Sequence, residues 1–506
     1  MITLTEWLAA GQDTNTCLSA SGATPLTYAG LRQLSIYVQQ SLNAVGVGRN
    51  DRVALVLPNS AEMAASFVTV AACCTSAPLN PAYRADEFEF YLNDLNAKAL
   101  VVEAGSKSPA IEVARKLGVS ILVLHPTPAL GAGSFTLDTS ARETASPAHP
   151  GAALPDDVAL VLHTSGTTSR PKIVPLTQRN VCASAQHIAT STRFTAADKG
   201  LNVMPLFHIH GLIAGILAPL SQGGEVHCTG GFNALKFFAQ MDEVKPTWYT
   251  AVPTMHQAIL SRAANNKEVI ARVPLRFIRS SSSSLPPQVL AELEATFHSP
   301  VIEAYGMTEA AHQMACNPLP PAERKPGTVG IAAGPEVAIM DIDGNLLKAG
   351  DTGEIVIRGP NVTPGYENND KANAEAFTHG WFRTGDQGHM DADGYISITG
   401  RLKEIINRGG EKISPREIDE ILMDHAAVAQ VVCFGIPHDK LGEEVGAAVV
   451  LRDGKTATEK ELRDYVATRV ADFKVPRKIL LLNEIPKGAT GKLQRIGMAQ
   501  KLGLAS

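Results

Sequence analysis

Between Val158 and Ala304 the chain repeats one unit, a short apolar run followed by a segment long enough for a helix. Val158–Leu162, Val203–Pro205, Glu225–Cys228, Trp248–Val252, Arg276–Arg279 and Val301–Ala304 read as strands. Ile209–Leu220, Ala234–Val244, Thr254–Ala264 and Pro286–Phe297 read as the helices between them, the last with proline in its first turn. Parallel neighbours need crossover connections, so this alternation predicts a mostly parallel sheet flanked by helices. Ligand-binding groups then gather at the carboxyl ends of the strands. The preceding stretch has the same texture: Thr27–Val45, Ala61–Cys74 and Glu87–Leu95 as helices, Arg52–Leu57 and Ala99–Val102 as strands. Pro128–Pro155, rich in Ala, Gly, Pro and Ser, reads as a connection rather than core.

From Pro335 the pattern changes. Asp343-Gly344 marks a hairpin within Val337–Leu347, and Glu354–Arg358 and Tyr395–Thr399 read as further strands of a small β-rich subdomain at about 335–400. Beyond Gly400, Pro415–Asp424 and Glu459–Val470 read as helices, and Val428–Phe434, Ala447–Leu451 and Lys478–Leu482 as strands. The expected fold class is α/β: a large N-terminal domain, residues 1–402, and a small α+β C-terminal domain, residues 403–506. At 506 residues a single core is too small for the chain.

A formal charge of −5, with no run of basic residues, points away from nucleic acid as a partner. No apolar run reaches membrane-spanning length; Ile213–Leu220 is short and holds Pro219. The seven cysteines show no paired spacing, which favours reduced thiols over disulfides or a zinc site. With no signal pattern at Met1–Trp7 and no peroxisomal tail at Gly503–Ser506, the expected location is cytoplasmic.

Thr164-Ser-Gly-Thr-Thr-Ser-Arg-Pro-Lys172 packs hydroxyls, a glycine and two cations behind the run Val158–Leu162. Strand, hydroxyl-rich turn, then a helix from about Asn180 is the layout of a polyphosphate site, with Lys172 as a mobile charge. It is not a Walker loop, and a Ser/Thr-rich surface loop fits the letters equally. Five more stretches carry chemistry: Pro205–Gly211 with His208 and His210, Arg279 with Ser280–Ser284, Glu303–Glu309, Trp381–Asp386 with Gly400-Arg401, and Pro486–Lys492. Each has a bland reading, as packed histidine, serine turn, strand end, surface acid or exposed lysine.

Together they resemble the acyl-adenylating superfamily of acyl–CoA synthetases, luciferases and adenylation domains, from about Leu26 to Arg495. Thr164–Lys172, Tyr305–Glu309, Thr384–Asp386, Gly400-Arg401 and Lys492 stand in that family's order and spacing. The resemblance implies ATP, Mg²⁺ and coenzyme A, and a small carboxylic acid as the fourth reactant. It implies that Thr164, Ser165, Gly166, Thr167, Thr168 and Lys172 handle the ATP phosphates. Glu303, Ala304, Tyr305 and Gly306 would form the adenine stretch, with Tyr305 stacking on the base. Thr308 would touch the α-phosphate and Glu309 would hold Mg²⁺. Asp386 and Arg401 would hold the ribose. Lys492 would catalyse the first half-reaction, Lys403 would be the interdomain hinge, and Gly409 and Gly410 would line the pantetheine path. Two departures stand out: Ser169 and Ile173 occupy positions where the family usually has glycine.

Within the superfamily the chain is similar to the oxalate–CoA ligase group, which shares Thr164–Lys172, Leu-Phe-His-x-His-Gly, Arg-Ser-x-Ser-x-Ser-Leu and Asn407–Pro415. Hydroxyls and imidazoles suit an acid with a second carboxylate, whose burial without donors is costly. The expected acyl contacts are therefore among His208, His210, Ser281, Ser282 and Ser283. Malonate and medium-chain fatty acids are the alternative substrates, and a non-catalytic AMP-binding relative is the third reading. The resemblance is compatible with a monomer or a homodimer.

Overall fold

The structure is a computed structural model that describes residues 2–140, 144–164, 171–487 and 493–505. Among these residues four sheets form. The largest has nine strands in the order Ile331–Ala332, His312–Cys316, Val301–Met307, Phe277–Ser281, Trp248–Ala251, Lys199–Asn202, Glu225–Cys228, Thr16–Ser19, Leu26–Thr27. Its centre is parallel and its two ends antiparallel. A seven-stranded sheet runs Phe135–Asp138, Ser120–Pro126, Ala99–Glu103, Arg52–Val56, Thr75–Pro78, Val158–His163, Ile173–Thr177, again parallel inside and antiparallel at the edges.

Helices seal these sheets. Ala61–Ala71 is apolar on nearly every side and buried throughout except at Glu62. Its Ser60 cap accepts from the Met63 N–H at 3.2 Å. Gln178–Thr192 starts on a Thr177/Asn180 capping box. The buried Gln178 amide of that helix donates to the Ala71 carbonyl and accepts from Leu4 N–H, so three elements share one satisfied polar group. Asn180 donates to Pro360 O and Val362 O, which ties this helix to the β-rich part of the chain.

That part is a five-stranded antiparallel sheet of Glu336–Met340, Thr352–Arg358, Phe377–Thr378, Trp381–Met390 and Ile396–Arg401. The C-terminal sheet combines Ile406–Arg408, Glu411–Ile413, Val428–His438, Gly442–Leu451 and Lys478–Leu481, with Pro415–Met423 and Glu459–Ala467 packed against it. It touches the larger part through Gln257 Nε2 to Ala429 O at 3.1 Å and through Arg416 Nη1 to Ile398 O at 2.5 Å. The expected α/β architecture is thus present.

Four expectations are corrected. The turn after Val158–His163 does not lead into a helix. The chain returns as the antiparallel strand Ile173–Thr177, and the helix follows that. Pro175 disguised this strand, and proline is tolerated there because the strand lies at the sheet edge. Ile173, where a glycine was expected, is 5% exposed and packs in an apolar cluster with Val161 and Val56. The strand assigned to Val203–Pro205 is instead Lys199–Asn202, hidden by a lysine and a glycine. Within Pro128–Pro155, Phe135–Asp138 is a paired strand, with Phe135 and Leu137 buried. The helix at Ile209–Leu220 begins as a π-helix, His210–Leu217, a rare form frequent at functional sites.

Candidate active site

Thr164 and Lys172, which flank the hydroxyl-rich stretch in sequence, pair through their backbones. Thr164 N–H donates to Lys172 O at 2.9 Å, and Lys172 N–H donates to the Thr164 hydroxyl at 3.1 Å. Ser165, Gly166, Thr167 and Thr168 lie outside the described residues, as do Ser169 and Lys492. The Lys172 ammonium sits 3.9 Å from the centroid of the Tyr366 ring. Tyr366 in turn donates to Glu309 Oε1 at 2.8 Å, and Thr363 N–H holds Glu309 O at 2.7 Å. Burial lowers the Lys172 pKa, Glu309 opposes that, and Lys403 adds to it. Lys172, Lys403 and Glu309 therefore share one electrostatic neighbourhood. Tyr366 was not foreseen: a lone tyrosine carries no sequence signal for this contact.

Glu309 is 7% exposed and is the middle residue of the short 3₁₀ turn Thr308–Ala310. No group of three His, Cys, Asp or Glu side chains able to hold a metal occurs among the described residues. A single carboxylate beside a lysine fits Mg²⁺, which is commonly held by one or two carboxylates together with substrate phosphates.

Asp386 and Arg401 face each other across the strand pair Trp381–Met390 and Ile396–Arg401, where they are direct partners in register. Arg401 Nε donates to Asp386 Oδ1 at 3.0 Å, and the Tyr305 hydroxyl donates to Asp386 Oδ2. Asp386 also accounts for most of the rise in the Arg401 pKa; burial, then Asp386, raises that of Tyr305. Thr384 donates to Ile355 O at 2.7 Å and accepts from Asp386 N–H at 3.1 Å, which fixes the turn before the acid. The spacing of fifteen residues thus becomes one cross-strand pair.

Tyr305 lies on Val301–Met307, whose pairing with His312–Cys316 needs Gly306: a Cβ there would sit 1.9 Å from His312 O. Ala304 is buried. Glu303 is 1% exposed, and its Oε1 accepts from Leu285 N–H at 3.0 Å. Burial pushes its pKa up from 4.5 to about 7. The folded state therefore holds this proton more tightly than the unfolded chain. The resulting stability is fully present below pH 4.5, is lost as pH rises to about 7, and stays lost above that. Glu303→Gln is expected to remove this slope, a gain of up to roughly 3 kcal/mol at high pH. Melting temperatures of both proteins across that window check it; parallel profiles would contradict it.

The serine and histidine stretches meet at Ser282 and His210. Ser281 is fully buried and donates to Ala304 O at 2.8 Å, whereas Ser283 is exposed. Ser282 is half-buried, and its hydroxyl lies 3.0 Å from His210 Nδ1. His210 Nε2 lies 2.7 Å from the Thr250 hydroxyl. His208 is half-buried, with its ring against Phe207. Behind His210 stands Arg279, 0% exposed, within reach of His210, His312 and Gln313. The His210 and His312 rings stack at 4.9 Å. Arg279 had been read only as the residue before a serine run, and His312 and Thr250 were missed, because the sheet register and not sequence spacing brings them together.

Gly409 and Gly410 form the two-residue turn between Ile406–Arg408 and Glu411–Ile413. Their φ values of 61° and 98° are those a tight hairpin of this kind demands, so glycine has a structural reason there.

The sequence matches the AMP-binding enzyme family over residues 5–367 and the AMP-binding enzyme C-terminal domain over residues 417–492. The chain belongs to the AMP-binding enzyme family. It is 46% identical over 491 residues to an oxalate–CoA ligase of Arabidopsis thaliana, covering 96% of this chain and 95% of that one. It is 42% identical over 488 residues to an oxalate–CoA ligase of Saccharomyces cerevisiae, covering 91% and 88%. The fold superposes on the ATP-bound crystal structure of MatB from Rhodopseudomonas palustris with a TM-score of 0.87 at 28% identity, covering 99% of this chain and 98% of that one. Among the described residues no helix is long and apolar enough to cross a membrane.

Proposed function

We propose that this chain is an AMP-forming oxalate–CoA ligase. The carboxylate of oxalate attacks the α-phosphorus of ATP, forming a P–O bond and expelling pyrophosphate. The sulfur of CoA then attacks the acyl carbon of the mixed anhydride, and AMP leaves with the C–O bond electrons. The thiol proton goes to solvent.

The first step brings two anions together, so cationic groups near the reacting atoms lower its barrier. Lys172 beside Glu309 supplies one cation, and Lys492 the second. Glu309 would hold Mg²⁺, which when bound shields charge on the phosphates. Asp386, held by Tyr305 and Arg401, would accept from the ribose hydroxyls and fix the nucleotide, so that the reaction runs within one complex. Lys492 and the Gly409-Gly410 turn belong to the same C-terminal part, residues 403–506, yet serve different half-reactions. Rotation about Lys403 would exchange them.

The observation that carries the choice of acid is the polar cluster of Thr250 and Ser282, at the carboxyl ends of neighbouring strands, with His210, at the start of the π-helix, between them. A fatty acyl chain would strand these buried groups against hydrocarbon. Ser282 rather than Ser281 or Ser283 is the serine of the proposed acyl contact, because Ser281 is committed to Ala304 O and Ser283 lies outside. AMP formation with ATP, Mg²⁺ and CoA across oxalate, malonate, hexanoate and coumarate tests this reading. Turnover on oxalate well above the rest is expected. Preference for malonate moves the substrate by one carbon, and preference for hexanoate or coumarate overturns the polar-pocket reading.

A further inference from the structure

Arg279 is a buried cation without a buried anion. Its side chain is 0% exposed, and among the described residues no carboxylate pairs with it. Its neighbours are neutral acceptors: Gln313 Oε1 at 3.1 Å, His312 Nε2 at 3.3 Å and His210 Nε2 at 3.4 Å. Gln313 is oriented for this, because its NH₂ group donates to Ser191 Oγ at 2.9 Å and Ala333 O at 3.3 Å, which turns its carbonyl to the guanidinium. Burial lowers the Arg279 pKa only to about 10, so the group stays charged at neutral pH. An unpaired buried charge is strongly unfavourable, and such a group beside other polar side chains is a candidate functional site.

A guanidinium carries five N–H donors and no acceptor. Each ring nitrogen that faces it must therefore offer a lone pair. His210 Nε2 also lies 2.7 Å from the Thr250 hydroxyl, which can donate to an unprotonated Nε2. The proton of each imidazole then resides on Nδ1. His210 Nδ1–H donates to Ser282 Oγ at 3.0 Å, which leaves the Ser282 O–H to donate onward. The backbone is bent to make this arrangement. Ser282, Ala311 and His312 all hold positive φ, at 75°, 46° and 104°, where non-glycine residues are rare and strained. Of these, His312 meets the guanidinium, Ser282 meets His210, and Ala311 directly precedes His312 in the chain.

We propose that Arg279 is the specificity-determining positioning residue of the acyl pocket: its guanidinium holds His210 and His312 as Nδ1–H donors and supplies the positive charge that selects an acid bearing a second carboxylate. Arg279 acts through the two imidazoles and Ser282. The inference rests on the reading of this pocket as the acyl site.

The test has two arms on the full-length protein. The first is the ¹⁵N–¹H spectrum of histidine-labelled wild-type enzyme, with His210→Asn and His312→Asn assigning the two signals. Both rings are expected as neutral Nδ1–H tautomers, and an Nε2–H form at either ring overturns the proposal. The second compares Arg279→Met with the conservative Arg279→Lys. In Arg279→Met, KM for oxalate is expected to rise about 10- to 100-fold, the size of one charge-assisted hydrogen bond, with KM for ATP nearly unchanged. Arg279→Lys is expected to recover most of the loss. An unchanged KM for oxalate, or equal rises for oxalate and ATP, contradicts the role. Wild-type enzyme that ignores oxalate defeats the functional reading instead, and the tautomer arm, which needs no substrate, then stands separately.

Discussion

Lys492→Ala is expected to slow acyl-adenylate formation by about 10²- to 10³-fold, the loss seen when one donor aimed at developing charge is removed. Thioester formation from chemically supplied acyl-adenylate and CoA is expected to survive nearly intact. The reason is a division of labour: the first half-reaction adds negative charge at the α-phosphorus, whereas the second starts from an anhydride already made. Lys172 cannot replace the missing cation, because its ammonium is held over the Tyr366 ring and next to Glu309. Pyrophosphate exchange measures the first half, and AMP release from the supplied adenylate measures the second. Equal losses in both would show that the lysine is needed for the fold or for both chemistries. Full retention of both would show that Lys492 is not the catalytic cation; a non-catalytic relative would show neither activity even before the substitution.

Asp386→Ala is expected to behave differently, with loss in both halves. ATP and the acyl-adenylate share the same ribose, so a group that holds the ribose serves each in turn. Removing the carboxylate deletes the acceptor for two ribose hydroxyls and also strands its own partners. The Tyr305 hydroxyl is buried and depends on Asp386 Oδ2, while the half-exposed Arg401 can turn to water. Hydrogen bonds to a charged group contribute about 1.5–3 kcal/mol each, so loss of two should lower kcat/KM for ATP about 10²- to 10⁴-fold. Asp386→Asn keeps an acceptor and should lose less. Loss confined to the first half-reaction would contradict a ribose role.

The sequence displayed its fold wherever apolar runs alternate cleanly. Trp248–Ala251, Glu225–Cys228 and Tyr28–Ala44 lie within a residue or so of where periodicity puts them. It concealed strands whose side chains serve chemistry or edges. Trp381–Met390 holds two glycines, an arginine, an aspartate and a histidine, and its burial alternates because one face is open. Ile173–Thr177 hides behind Pro175. The proposed nucleotide residues Tyr305, Asp386 and Arg401 could be named because they sit in ordered motifs, and register then joins them. The acyl pocket was legible only in part. His210 and Ser282 could be named, but the pairing of Phe277–Ser281 with Trp248–Ala251, and the return of His312–Cys316 along Val301–Met307, bring in Thr250 and His312. Arg279 belonged to a strand that looked wholly structural, and a charge in a buried strand is visible as such only once its surroundings are known.

The most direct measurement is to supply oxalate labelled with ¹⁸O, together with ATP, Mg²⁺ and CoA, and to weigh the products. Attack of a carboxylate oxygen on the α-phosphorus predicts AMP carrying one heavy oxygen, pyrophosphate carrying none, and oxalyl-CoA formed in equal amount to AMP. Label in pyrophosphate or phosphate, or no heavy AMP at all, would contradict an oxalyl-adenylate and with it the function proposed for this chain.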